Sequence, residues 1–454
     1  MSSAATRSSP SPSPGAVSNL PAPAPRYRFV ALAVVWCAYL VVFLSRLCVG
    51  PLAPFLKSSF HLDNAQIGGL ISATAVAYAP TLIFAGWLAD RIGVRRALII
   101  GTVITGVCIG AVALAPSYPV MLLLLACSGF GCGFIYPTAV KAVMVWFPAR
   151  ERATAVGVNQ SAVNISGMLG AAVMPALAIA FGWRSGFVLA SVMAFVICAV
   201  AVAFYRDPRP DERAWGPGAA AGDAGSLGTG GPLTMSEPEQ GLPAVTGDEA
   251  VDRAALRPGF LTVVRSRDIL LMGLAAMFLC MVEFSALAHL VLFLHTSWAY
   301  TAVAAGGLLA LCQAAGAFGK PLSGLISDRL LGGRRKAPLL ALALLSGLVC
   351  AILALMHPGQ TALLWAALAL LGVGAVGWGG LFSTLAGETA GPAAAGAAAG
   401  VTGAIDNVGI FIGPPLFGFL VDRYGTYGPA WWAMVGASLA AAVLLAFVRE
   451  PRHA

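Results

Sequence analysis

The chain alternates long hydrophobic runs with short polar connections along most of its length. A run of about 20 residues crosses roughly 30 Å of hydrocarbon as an α-helix, because the helix rises about 1.5 Å per residue. The pattern therefore predicts an all-α membrane protein with twelve transmembrane helices. The predicted helices cover residues 28–50, 65–88, 97–115, 119–141, 153–180, 184–205, 268–293, 302–326, 337–356, 361–386, 394–421 and 428–448.

A charged stretch between the second and third runs is repeated in the second half of the chain. The first copy reads Gly86-Trp-Leu-Ala-Asp-Arg-Ile-Gly-Val-Arg-Arg96. The second begins with Gly324-Leu-Ile-Ser-Asp-Arg329 and ends at Lys336. At an offset of 243 positions, Asn164 also falls on Asn407. The repeat predicts two pseudo-symmetric six-helix bundles.

Segments without a periodic hydrophobic pattern flank and separate the two halves. They are rich in Pro, Ser, Gly and Ala, a composition typical of flexible chain. We expect a disordered tail over 1–27, a six-helix bundle over 28–205, a flexible linker over 206–267, a second bundle over 268–448 and a short tail over 449–454.

Composition supports a membrane protein and argues against an enzyme. Of the 454 residues, 59% are hydrophobic and 10% are charged, and the mean hydropathy is +0.84. The nine cysteines lie inside the hydrophobic runs without the spacing of metal ligands, so we interpret them as packing residues. The sequence has no phosphate-binding loop and no nucleophile with a nearby base, so we expect no catalytic residue, metal or cofactor.

The net charge of +8 comes mainly from basic residues in the connections on one side of the predicted bundle. Basic loops stay in the cytoplasm when a membrane protein inserts, so this side is predicted to be cytoplasmic. An even number of helices then places both termini of this multi-pass cell-membrane protein in the cytoplasm. The loops explain the charge without a nucleic acid partner, and the lipid bilayer is the expected surroundings.

Two basic residues lie inside predicted spans, where a charge costs about 2.5–3.5 kcal/mol on insertion scales. Arg46 is in the first helix, and its guanidinium suits two-pronged binding of a carboxylate or phosphate in a central cavity. Alternatively, Arg46 reaches the membrane interface or pairs with Glu283. Lys320 is a candidate to bind the other end of a dianion; the alternatives are a gate contact or extension of its side chain to the cytoplasm.

Glu283 and Asp406 are the acids that lie deepest in predicted spans. A carboxyl group in a cavity that opens alternately to each side can load and release a proton, so both are candidates for proton coupling. The competing interpretation is a structural ion pair with one of the two cations. Asn164 and Gln313 are candidates to line the same cavity and bind substrate, although hydrogen bonding between helices is an alternative.

The motif G-x-L-x-D-R-x-G-x-R-R in the first charged stretch resembles the loop 2–3 signature of the major facilitator superfamily. The second copy stands where that family has its loop 8–9. The resemblance implies two six-helix bundles with a binding site near the midplane, in a protein that we expect to be a monomer. Candidate residues for conformational gating are Gly86, Asp90, Arg91, Gly93, Arg95, Arg96, Asp328 and Arg329.

The amino-terminal half is similar to the anion:cation symporter group of that superfamily, which takes up sugar acids and other organic anions. The similarity rests on Arg46, Tyr78, Trp146-Phe-Pro148 and Gly182-Trp-Arg184, among other positions. In that group the matching Arg and Tyr contact the substrate carboxylate, which implies the same role here. The group commonly has an acid before the Arg, where this chain has Ser45, so proton coupling would pass to the two acids in the second half.

The sequence therefore predicts a secondary transporter that moves a small organic anion by alternating access, coupled to a proton or another cation. One alternative is an efflux transporter for amphipathic compounds or drugs, which Gly409-x-x-x-Gly413-Pro414 favours and Arg46 disfavours. Another is a non-transporting membrane sensor, but such a protein usually adds a folded domain, which residues 206–267 do not resemble.

Overall fold

A computed structural model describes residues 26–147, 149–207, 264–390 and 395–450. Most of the predicted tails and most of the predicted linker lie outside these residues. Eleven helical segments of the described chain are long and apolar enough to cross a membrane, and the helix Asn64–Ile92 brings the number of spans to twelve. The predicted all-α architecture is thus confirmed.

The first half has seven described helices in six spans, because the first two helices form one span. They are α1 (Tyr27–Leu47), α2 (Val49–Phe60), α3 (Asn64–Ile92), α4 (Val94–Val112), α5 (Tyr118–Trp146), α6 (Ala149–Phe181) and α7 (Arg184–Phe204).

The second half also has seven described helices in six spans, because a π-helical turn joins two of them. They are α8 (Arg267–Ser297), α9 (Ala302–Arg329), α10 (Lys336–Leu355), α11 (Thr361–Leu371), the π turn (Gly372–Val376), α12 (Gly379–Ala390), α13 (Ala395–Tyr424) and α14 (Gly428–Phe447).

The first span is longer than the sequence predicts, since α1 ends at Leu47 and α2 continues to Phe60. Pro51 falls in the first turn of α2, where a missing N–H leaves no helical hydrogen bond unmade. The chain therefore stays helical past the predicted end at residue 50. Gly50 lies so close to α8 that a Cβ there would be 2.2 Å from the carbonyl oxygen of Leu287.

The two ends of the bundle carry different side chains. We call the end with the charged connections α3–α4 and α9–α10 the basic face; it includes Arg95 at the start of α4 and Arg334 between α9 and α10. We call the other end, with the start of α3 at Asn64 and the end of α13 at Tyr424, the opposite face.

The halves approach each other most closely toward the opposite face, through α3 and α13. A Cβ on Gly68 would lie 2.2 Å from the carbonyl oxygen of Pro414, and a Cβ on Gly418 would lie 2.1 Å from that of Asn64. Only glycine allows two backbones to come this near. A Cβ on Gly400, nearer the basic face on α13, would meet no atom within 4 Å. The contact between the two halves along α3 and α13, which we call the seam, is therefore closed at the opposite face.

Asp422 of the second half caps a helix of the first half across this seam. Its carboxylate accepts hydrogen bonds from the backbone N–H groups of Asn64, at 3.0 Å, and Ala65, at 2.8 Å. Within α3 itself, the side chain of Asp63 accepts from the N–H of Gln66 at 2.6 Å. Free N–H groups and the helix dipole stabilise anions at a helix start, so Asp422 joins the halves here.

We expect Asp422→Asn to loosen the seam at the opposite face. The substitution removes the charge that faces the start of α3, an interaction worth about 0.3–1 kcal/mol at an exposed helix end. Distances between spin labels at Ser58 and Tyr424, in a background without the native cysteines, should shift toward longer values in double electron–electron resonance.

Arg423→Gln is the matched control, because Arg423 is the exposed neighbour of Asp422. It should leave the distance distribution unchanged. Identical distributions in the Asp422→Asn variant and the parent protein would show that this carboxylate does not hold the halves together.

Candidate functional site

Arg46 lies at the interface of the two halves, near the carboxyl end of α1. It is only 4% exposed. The guanidinium carbon lies 4.2 Å from the ring centroid of Tyr78 on α3 and 5.5 Å from that of Phe284 on α8. Aromatic faces attract a cation, so rings from both halves hold the group in place.

The guanidinium has no carboxylate partner in the described part of the chain. Its Nε and Nη2 atoms are buried and form no hydrogen bond. Glu283 and Asp406 are close enough to interact with it electrostatically, but neither lies within the 4.0 Å of an ion pair. The predicted alternative of an Arg46–Glu283 pair is therefore not formed in this structure.

Lys320 reaches from α9 across the interface to the first half. Its Nζ donates a hydrogen bond to Oδ1 of Asn164 on α6 at 3.2 Å, and Asn164 is 4% exposed. About two turns before Lys320 on the same helix, Gln313 packs on Gly167 of α6. A Cβ on Gly167 would lie 1.9 Å from Nε2 of Gln313. Each half thus contributes a cation that contacts the other half.

The two half-buried acids belong to the second half, and each has a polar neighbour. Trp378 Nε1 donates to Oε2 of Glu283 at 3.2 Å. Asn407 Nδ2 donates to Oδ1 of Asp406 at 2.9 Å. Five predicted site residues, together with these two acids, therefore gather around the middle of the interface. They are Arg46, Tyr78, Asn164, Gln313, Lys320, Glu283 and Asp406.

The first charged connection makes its described contacts within its own half. Gly93 adopts φ +87°, and Asp207, which follows α7, accepts from the backbone N–H of Val94 at 3.0 Å. The Arg95 side chain donates to the carbonyl of Val202. Arg91 and Arg96 are exposed, while the side chains of Gly86 and Asp90 lie outside the described part.

The second charged connection is likewise bonded within its own half. Arg335 pairs with Asp328 and, at 3.4 Å, with Glu388. Glu450, which follows α14, accepts from the backbone N–H of Lys336 at 3.1 Å. Partial burial acts to lower the pKa of Arg335, but hydrogen bonding and attraction to Asp328 and Glu388 raise it overall. Arg329, another gating candidate, is exposed.

Two sets of residues that join helix ends were not predicted from the sequence, although each set has a recognisable sequence pattern. The motif G-x-L-x-D-R-x-G occurs again from Gly418 to Gly425, where it supplies Asp422 at the opposite face. The sequence Arg-Asp/Glu-Pro-Arg occurs after each half, at 206–209 and 449–452, and supplies the carboxylates that cap α4 and α10.

A comparison with known families decides the affiliation of the chain. The profile of the Major Facilitator Superfamily matches residues 35–414, which include both halves and the whole candidate site. The chain belongs to this superfamily. The similar proteins are transporters and membrane sensors and not enzymes, so the predicted absence of enzymatic function and the predicted family are confirmed.

Superfamily members with the most similar sequences include transporters of acidic compounds. A probable sulfoacetate transporter of Cupriavidus necator is 29% identical over 185 residues, which are 41% of this chain and 43% of that protein. A hexuronate transporter of Bacillus subtilis is 29% identical over 175 residues, 38% of this chain and 41% of that protein. The matched stretch thus spans less than half the length of either relative.

A solved superfamily structure shares the fold over nearly the whole chain. It is a bacterial homologue of the human lysosomal transporter Spinster in an inward-facing, unoccupied conformation. The TM-score is 0.69 at 19% identity, with 93% of this chain and 95% of that chain covered. This likeness confirms the predicted major facilitator fold of two six-helix bundles.

We expect Arg46→Met to stabilise the empty protein. A buried guanidinium without a partner is costly, so an apolar side chain of similar length should raise the free energy of unfolding by about 1–3 kcal/mol. Thermal unfolding of the purified protein in detergent measures the change as a higher midpoint temperature.

Arg335→Met serves as the contrasting variant, because Arg335 has acidic partners. It should lower the midpoint, since a charged hydrogen bond contributes about 1.5–3 kcal/mol. A loss of stability in Arg46→Met as large as that in Arg335→Met would mean that Arg46 is satisfied in the empty protein.

Proposed function

We propose that this protein is a secondary transporter that moves a small organic anion, a carboxylate, across the cell membrane by alternating access. The observation that carries the proposal is the buried guanidinium of Arg46, with two unbonded nitrogen atoms, in a family of transporters. The similarity to transporters of sulfoacetate and hexuronate supports the same class of substrate.

The chemistry of Arg46 favours an anion over a neutral or cationic substrate. Its free Nε and Nη2 atoms match the two oxygens of a carboxylate, which accept a pair of parallel hydrogen bonds. The ring of Tyr78 at 4.2 Å limits how the planar group turns. A carboxylate would also remove the cost of burying the charge unpaired, so binding and stability would rise together.

Lys320 provides a second positive charge on the other half. The Lys320 amine is held by Asn164 alone in the described residues, and one amide oxygen leaves an ammonium group with unused donors. We assign Lys320 to the far end of the substrate, with Asn164, Gln313 and Tyr78 lining the site. A substrate with anionic or polar groups at both ends would bridge the two halves.

Alternating access follows from this bridging. The seam at the opposite face is closed by α3 and α13, and the site lies between that seam and the basic face. We infer that the basic face is cytoplasmic, with both termini on that side, and that its gating residues hold the halves together when the seam opens. One chain contains both halves of the site, so a monomer is sufficient.

Proton coupling is assigned to Glu283 and Asp406. Glu283 interacts electrostatically with Lys320 and Arg46, and Asp406 interacts with Arg46, so an incoming anion would change how firmly each carboxyl group holds a proton. Trp378 donates a hydrogen bond to Glu283, and Asn407 donates one to Asp406.

Exchange of a labelled organic acid in proteoliposomes tests the proposal. We expect the reconstituted protein to catalyse counterflow of a carboxylate found by screening sugar acids and small dicarboxylates. Arg46→Ala should reduce counterflow at least about 30-fold, since truncating one side of a buried charge contact costs roughly 2–5 kcal/mol. An inward proton gradient should drive net uptake, and Glu283→Gln or Asp406→Asn should abolish that effect while exchange continues.

Arg267→Ala is the control, because Arg267 is exposed at the start of α8 on the basic face. It should exchange at the parental rate. Exchange of hydrophobic amines in place of acids would instead identify an efflux transporter, and tight binding without exchange would identify a sensor. Either result would overturn the proposal.

A further inference from the structure

The tenth span is interrupted at the level of the site by a π-helical turn. This turn covers Gly372–Val376, between α11 and α12. The matching glycine pair of the first half, Gly129 and Gly131, lies in α5, which is a continuous α-helix. The two halves therefore differ at this position, although their sequences share the glycines.

Close packing on α9 accompanies the turn. A Cβ on Gly372 would lie 2.0 Å from the carbonyl oxygen of Cys312, and a Cβ on Gly316 would lie 2.6 Å from Cβ of Val376. A π turn accommodates one extra residue, which rotates all following side chains by about 100° around the helix axis. The turn thus decides which way the next side chains of the span point.

Trp378 is one of those side chains, and it points to Glu283. The indole is 5% exposed, and Phe382 packs edge-on against it at 5.3 Å between ring centroids. Its Nε1 donates to Oε2 of Glu283 at 3.2 Å. An indole N–H is a donor only and has no alternative protonation state, so this contact persists whether or not Glu283 is ionised.

Glu283 has an obvious competing partner, which it does not bind in this structure. Among the described residues, Lys320 exerts the largest attraction on Glu283, yet the two form no ion pair within 4.0 Å. Lys320 is instead bonded to Asn164 of the other half. Both side chains are half-buried, where opposite charges attract more strongly than in bulk water, so a contact that holds Glu283 away from Lys320 would explain their separation.

We propose that Trp378, oriented by the π turn, is a positioning residue that holds Glu283 away from Lys320 and so leaves Lys320 available for the substrate anion. The assignment of Lys320 to the substrate rests on the proposed function. The restraint on Glu283 does not, because it concerns the empty protein. Without the indole N–H, Glu283 would lose its donor and turn to the ammonium group, which then competes with the anion.

Acetylation of lysines in the empty protein tests the restraint directly. A small anhydride modifies only the uncharged amine, and a carboxylate paired with Lys320 keeps it protonated. We expect Trp378→Phe, which retains a ring and lacks the N–H, to slow acetylation of Lys320 by at least about tenfold. Peptide mass spectrometry follows the site, with Lys57 of the same molecule as the internal reference.

The control is Trp431→Phe, since Trp431 is fully buried on α14 and its Nε1 has no hydrogen-bond partner. It should leave Lys320 acetylation unchanged. In the double variant Trp378→Phe with Glu283→Gln, acetylation should return to the parental rate, because no carboxylate remains to pair. If the phenylalanine variant does not fold, Trp378→Met, which also lacks the donor, takes its place.

Equal acetylation of Lys320 in the parent and in Trp378→Phe would overturn the proposal, and so would a decrease that Glu283→Gln does not reverse. With an identified substrate, Trp378→Phe should also raise KM several-fold while kcat stays within about twofold, as expected for competition at the binding step. Acetylation needs no substrate, so failure to find a transported anion counts against the proposed function and leaves this test intact.

Discussion

An unpaired guanidinium held between two helical bundles is the constraint on which this structure depends. Burial of Arg46 is unfavourable in a membrane interior, and neither neighbouring acid comes near enough to neutralise it. The rings of Tyr78 and Phe284 attract it only weakly, by roughly 2 kcal/mol for a desolvated cation–π contact. If an organic anion is the substrate, as we propose, the empty protein keeps part of its binding energy unrealised until that anion binds.

The rest of the fold keeps this charge available. Glycines bring α3 and α13 together at the opposite face, and Asp422 joins the end of one helix to the start of the other. Lys320 and Gln313 contact the first half, and Arg46 contacts the second. In the proposed function these contacts between the halves lie next to the substrate, so binding would be connected to movement of the halves.

Much of this arrangement could be predicted from the sequence, because its causes are local. Hydrophobic runs predict the spans, the repeated charged stretch predicts the two halves, and an Arg inside a run points to the candidate site. The pairing of Asp422 with α3 escaped prediction because the motif G-x-L-x-D-R-x-G occurs at both ends of the bundle. It forms the charged connection at the basic face and supplies Asp422 at the opposite face. The π turn at Gly372 depends on packing against α9, and its glycines resemble those of the regular helix α5. Neither outcome is encoded in one segment alone.

The most direct measurement is a structure of the protein with a bound organic acid. The account predicts a carboxylate whose two oxygens lie about 2.7–2.9 Å from Nε and Nη2 of Arg46, the atoms that are unbonded here. The opposite end of the acid should lie toward Lys320. A structure in which the acid binds elsewhere, while Arg46 pairs with Glu283 or Asp406, would contradict it.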